Sequence, residues 1–153
     1  MRAFHGWWLV VWLLALGGCA STPQATRERD AEAKRFISHP GFAALYVYRP
    51  DFLGAEMDDS TLYMDDRLIG ATLPGTFFRI DVQPGARVVS SSAAGSGQLK
   101  VDARPDQLYF VQLNVMSGGS RLTLVEPEAA KRAILKCCSL MENWAPGQRP
   151  LLR

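Results

Sequence analysis

The chain has 153 residues, 48% hydrophobic and 21% charged, enough for one globular domain plus an export segment and too apolar for global disorder. Its net charge is +2, and 13 of its 17 basic residues are Arg scattered along the chain, which excludes a phosphate-binding stripe and with it a nucleic-acid partner.

Residues 1–18 read as a signal peptide. Arg2 and His5 precede the ten apolar residues Trp7-Trp-Leu-Val-Val-Trp-Leu-Leu-Ala-Leu16. As a helix this run would cover about 15 Å, half of a hydrocarbon core of about 30 Å. That is too short to span a membrane and right for a signal core. Leu16-Gly17-Gly18-Cys19 follows, with an aliphatic residue three before the cysteine and small residues between. This resembles the lipobox of bacterial lipoproteins. The resemblance implies cleavage before Cys19, diacylglyceryl transfer to its sulfur and a palmitate-type acyl anchor. Membrane lipid, held through acylated Cys19, is then the first partner. Ala20 rather than Asp follows the cysteine. By the same resemblance, that implies the outer membrane, with the domain facing the periplasm.

Residues 19–39 read as a tether. Proline discourages helix in Ala20-Ser-Thr-Pro-Gln24, whereas residues 26–37 can form about three turns with opposite charges at Asp30/Lys34, Arg29/Glu32 and Glu32/Arg35. So short a helix is marginal alone. Either it supplies reach, or Phe36 and Ile37 dock it onto the domain.

From residue 40 to 145 the pattern is that of a β domain. Strands are expected at residues 45–48, 62–64 and 68–69, the last two joined by the Asp65-Asp66-Arg67 turn. Phe78, Ile80 and Val82 then alternate with Phe77, Arg79 and Asp81, the period-2 mark of a half-buried strand. Further strands fall at residues 87–89, 99–103, 109–115 and 122–124, separated by Pro84-Gly85, Gly95-Ser-Gly97, Pro105-Asp106 and Ser117-Gly-Gly-Ser120. Roughly eight strands at near ten-residue spacing, with no crossover helix, predict a mainly β fold: an antiparallel immunoglobulin-like β-sandwich of about 7–8 strands. One C-terminal helix closes it from Pro127 to Met141, with Ala130, Ile134, Cys137 and Met141 on one face. Residues 146–153 are a tail.

Tyr63-Met-Asp-Asp-Arg-Leu-Ile-Gly-Ala-Thr-Leu-Pro74, followed by Val82-Gln-Pro-Gly-Ala-Arg-Val-Val89, resembles PEGA-type surface β-sandwich modules. With Ala44-Leu-Tyr-Val-Tyr-Arg-Pro50 and Leu108-Tyr-Phe-Val111, it is also similar to a bacterial lipoprotein domain family of unknown function. The resemblance covers about residues 42–127 and implies a fold, not an activity.

Little in the sequence suggests catalysis. After cleavage His39 is the single histidine, so neither a Ser-His-acid triad nor a His-based metal site has its parts. Asp58-Asp59 and Asp65-Asp66 could share acid–base roles or bind calcium, yet beside turn residues they read as solvated loop acids. No cofactor or metal is expected. Tyr46, Tyr48, Phe77 and Phe110 fall opposite the presumed core residues of their strands. They form either an exposed binding patch or, if the helix covers them, a second core. Cys137-Cys138 is expected as two reduced thiols in the helix, Cys137 inward, because a bond between neighbours is incompatible with regular helix; the alternative is a redox role. The expected role is a non-enzymatic, membrane-anchored structural or binding module with an envelope protein or the cell wall as partner; the alternative is a small periplasmic enzyme or enzyme inhibitor.

Overall fold

A computed structural model describes residues 23–51, 60–92, 97–116 and 119–143. The expected signal segment (residues 1–18), Cys19, Asp58-Asp59 and the expected tail from residue 146 lie outside them. A short helix α1 (Arg27–Ala33) precedes eight strands: β1 (Ala43–Arg49), β2 (Ser60–Met64), β3 (Arg67–Thr72), β4 (Thr76–Val82), β5 (Gly85–Ser91), β6 (Gln98–Ala103), β7 (Leu108–Met116) and β8 (Gly119–Val125). Helix α2 (Pro127–Cys137) and the two-residue strand β9 (Ser139–Leu140) follow.

The expected two-sheet sandwich with a C-terminal helix is what the chain forms. One sheet runs β8-β7-β1-β4-β9 and the other β3-β2-β5-β6. Two pairs depart from the wholly antiparallel expectation: β1 lies parallel to β7, with Ala44 opposite Leu108, and β4 parallel to β9. A parallel pair needs a long connection, and between β1 and β7 the intervening strands supply it where a helix would be usual. The β2–β3 hairpin closes on Asp65 and Asp66, whose φ values of 49° and 62° make a turn of the twist that hairpins favour.

The five-stranded sheet is covered on both faces at its centre, so every residue of β1 is buried. Inward, Ala43, Leu45 and Val47 meet Phe78, Ile80, Val111 and Leu113 from their own sheet and Leu62, Met64, Ile69, Val89 and Val101 from the other. Outward, Ala44, Tyr46, Tyr48, Phe77 and Phe110 form a second core under Ala33, Phe36, Ala130 and Ile134. The four aromatics are therefore roofed rather than exposed.

The segment before residue 40 helps build that roof. Thr26 caps α1 by accepting from the Arg29 amide, and Phe36, held at φ 53°, lays its ring 5.3 Å from Tyr46 and 5.8 Å from Phe110. Of the two alternatives, the helix docks, through Phe36 and not through Ile37, which stays 53% exposed. The Tyr46 hydroxyl donates to the Ala33 carbonyl at 2.8 Å, and burial pushes its pKa up to about 12. Gln24 bridges to Met141, and the Ala25 amide donates to the Leu140 carbonyl at 2.9 Å.

The C-terminal helix begins as expected and ends early. Pro127 occupies its first turn, and the Glu126 carboxylate accepts from the Ala129 amide at 3.0 Å. Backbone N–H bonds from Ala129 and Glu128 hold that carboxyl below its usual range. The helix stops at Cys137 instead of Met141, because Cys137 and Cys138 are joined by a disulfide and Cys138 is extended at φ −122°, ψ 144°. The expectation of two reduced helical thiols with Cys137 inward is thus corrected. Cys138 is the buried member, and Cys137 sits at the rim.

Candidate functional site

Period-2 alternation puts residues 43, 45, 47 and 49 of β1 on the inward face, so the last of them sends an arginine between the sheets. Arg49 is 3% exposed. Its neighbour across the ladder is Thr76, and one guanidinium nitrogen donates to the Thr72 carbonyl of the opposite sheet at 3.2 Å. At the same end of the sandwich lie Ser60 at the start of β2, Thr72 at the end of β3, Ser91 at the end of β5 and Ser120 at the start of β8, all buried. The inter-sheet core is therefore apolar along most of its length and turns polar at one end.

The polar end ties the sheets together. Ser91 Oγ and Ser120 Oγ hydrogen-bond from one sheet to the other, and Thr72 Oγ1 donates to the Ser60 carbonyl at 2.7 Å. Thr76 Oγ1 donates to the Leu73 carbonyl at 2.6 Å, closing the turn before β4. Ser60 Oγ has no hydrogen-bond partner among the described residues.

The disulfide adjoins this end. Cys138 Sγ lies 3.8 Å from the Arg49 carbonyl, the Gly75 amide donates to the same carbonyl at 2.9 Å, and the Ser139 amide donates to the Gly75 carbonyl at 3.0 Å. Gly75 adopts φ +71°, and a side chain there would meet Asp51 Cβ at 3.3 Å and the Cys137 carbonyl at 3.4 Å. Glycine is needed for both reasons.

The acids and histidine singled out from sequence sit apart from this end. His39 is exposed and faces Asp81 at 3.2 Å, with Arg79 bridging Asp81 and the Ile37 carbonyl. Asp65 accepts from the Val88 amide at 2.8 Å and from Arg87 at 3.0 Å, pinning the β2–β3 turn to β5. Asp66 is exposed at the same turn. No three His, Cys, Asp or Glu residues gather as a metal site among the described residues. Sequence reading missed Arg49 as a buried group; the signal was the inward register of Ala43, Leu45 and Val47.

Two sheets, an aromatic face under two helices and one polar end bounded by a disulfide define the class of small sandwich this chain represents. The chain belongs to the DUF2846 family, proteins of unknown function, whose model matches residues 39–127. That stretch holds β1–β8, while α1 and the cysteine pair lie beyond it. An uncharacterised protein of Haemophilus influenzae is 33% identical over 129 residues, covering 80% of this chain and 76% of the relative.

Proposed function

We propose that the protein is an envelope lipoprotein, anchored through acylated Cys19, where the apolar residues 7–16 run into Leu16-Gly17-Gly18-Cys19.

 The observation that carries this reading is that run and its small-residue end. Two or more acyl chains give lasting attachment, at about 0.8 kcal/mol for each buried methylene. We place the domain in the outer membrane, facing the periplasm, as a non-catalytic structural or binding module related to PEGA-type surface modules. An envelope protein or the cell wall is its partner.

The fold supports an anchor held close. Among the described residues, backbone pairing begins at Pro23, whose carbonyl accepts from the Glu142 amide at 2.8 Å. Pro23 is four residues after Cys19, a stretch that reaches no further than about 14 Å. The domain would therefore ride against the bilayer rather than sample the periplasm on a long leash. Replacing Cys19 by Ser removes the thiol that accepts the lipid. Metabolic labelling with a fatty-acid analogue should mark the wild type and leave Cys19→Ser unlabelled and unprocessed; equal labelling of the two would refute the anchor.

A further inference from the structure

We infer that Cys137–Cys138 is a thiol–disulfide exchange site, with a protein dithiol as its reaction partner, and that its redox state controls the seam joining the N-terminal segment to the sheet. The apolar spacing of Ala130, Ile134, Cys137 and Met141 suits a helix one turn longer than α2. Adjacent side chains on a helix point about 100° apart, so joining two neighbouring sulfurs takes at least one of them out of the helix. Cys138 is the one that leaves, and its amide makes the last bond back into α2, to the Ile134 carbonyl at 3.0 Å.

The next four amides all turn elsewhere. Ser139 donates to the Gly75 carbonyl at 3.0 Å, Leu140 to Asp30 Oδ1 at 2.8 Å, Met141 to the Phe77 carbonyl at 2.9 Å and Glu142 to the Pro23 carbonyl at 2.8 Å. In a longer helix the first three would return to the carbonyls of Leu135, Lys136 and Cys137. The same backbone donors thus serve two alternatives. With the disulfide closed they hold β9 against β4, against α1 and against the segment entering at Pro23.

The two sulfurs are unequal in access. Cys138 is 4% exposed, whereas Cys137 lies at the rim of the roof core. An incoming thiolate attacks Cys137 Sγ, the Cys137–Cys138 bond breaks, and Cys138 leaves as a thiolate that takes up a proton. The partner's second thiolate then attacks the mixed disulfide and frees Cys137, which is protonated in turn. Two electrons and two protons pass to the pair, and the partner's dithiol becomes a disulfide. Once the pair is reduced, the turn out of α2 is no longer held covalently, the donors at residues 139–142 alternate between the two sets of carbonyls, and β9 and its contacts with residues 23–25 loosen.

The test uses the full chain purified in detergent and equilibrated with or without dithiothreitol. Peptide mapping after alkylation counts the thiols at Cys137 and Cys138, and hydrogen exchange is followed at residues 139–142 and in β1. Reduction should expose both thiols and speed exchange at residues 139–142 about ten-fold, while β1 amides keep their protection. The double variant Cys137→Ser/Cys138→Ser should show the fast exchange without reductant and no response to it. A pair that resists dithiothreitol in the folded protein, unchanged exchange at residues 139–142 on reduction, or an equal loss of protection in β1 would each overturn the inference. The wild-type comparison stands even where the double variant fails to fold.

Discussion

The two faces of the five-stranded sheet are buried by different means. Inward, aliphatic side chains of one sheet meet those of the other, with Phe78 as the large ring between them. Outward, Tyr46, Phe77 and Phe110 stack at centroid distances of 5.1 and 6.2 Å beneath two helices from opposite ends of the chain. The first core is made almost wholly by strands, with Met141 just past β9, and the ladders fix which residues of each strand face it. The second depends on α1, Phe36 and α2 arriving on a surface that strands only present. A sheet can therefore define one core fully while leaving the other to whatever chain reaches it.

Phe78→Ala and Ile134→Ala separate the two. Truncating Phe78 opens the inter-sheet core and should cost about 3–5 kcal/mol in urea unfolding, whereas Ile134→Ala should cost about 2–4 kcal/mol. Hydrogen exchange sharpens the contrast. Ile134→Ala should raise exchange in α2 while the β2–β5 ladder stays protected. Loss of protection in both sheets from Ile134→Ala would make the roof and the sandwich a single unit and end the distinction.

A smaller effect is expected from the Tyr46 hydroxyl. Tyr46→Phe leaves the Ala33 carbonyl without its donor and should cost about 1–2 kcal/mol. It also carries a pH signature. The folded pKa of Tyr46 is about 12 against an ordinary 10.0, so the folded state favours the neutral phenol. Its contribution is complete below pH 10 and is lost as pH climbs from 10 toward 12. Burial also raises the pKa of Tyr48, so some alkaline loss remains in the variant. Thermal melts across that range should fall less steeply for Tyr46→Phe than for the wild type; parallel curves would remove Tyr46 as a cause.

The smallest change should come from Arg29→Ala. Arg29 meets Glu142 at 2.6 Å, yet its side chain is 58% exposed. Water and salt screen such a pair, and its loss should stay within about 1 kcal/mol and shrink further in high salt. A larger, salt-independent loss would mean that this ion pair carries the docking of α1.

Legibility followed the range of the interactions. Alternation in Phe78, Ile80 and Val82 gave the inward face of β4 directly, and the Asp65-Asp66 hairpin followed from local turn chemistry. The same alternation showed that Tyr46, Tyr48, Phe77 and Phe110 share the other face, but what covers them is set by segments far away in sequence. The parallel register of β1 with β7 is likewise non-local. Arg49 is inward by the same count that places Leu45 and Val47, although arginine is rarely buried. The end of α2 was misplaced because apolar spacing reports a helical face and is blind to a covalent bond that removes one residue from the helix.

Residues 23–36 are part of the fold, and under the proposed function they begin within a few residues of a lipid anchor. Limited trypsin digestion of native membranes tests both halves at once, because Arg27, Arg29, Lys34 and Arg35 lie in that segment. A docked segment should resist cleavage, leaving the domain in the membrane pellet with its N-terminal stretch uncut. Rapid release of a soluble domain beginning at residue 28, 30, 35 or 36, or a domain found in the supernatant before any protease is added, would contradict it.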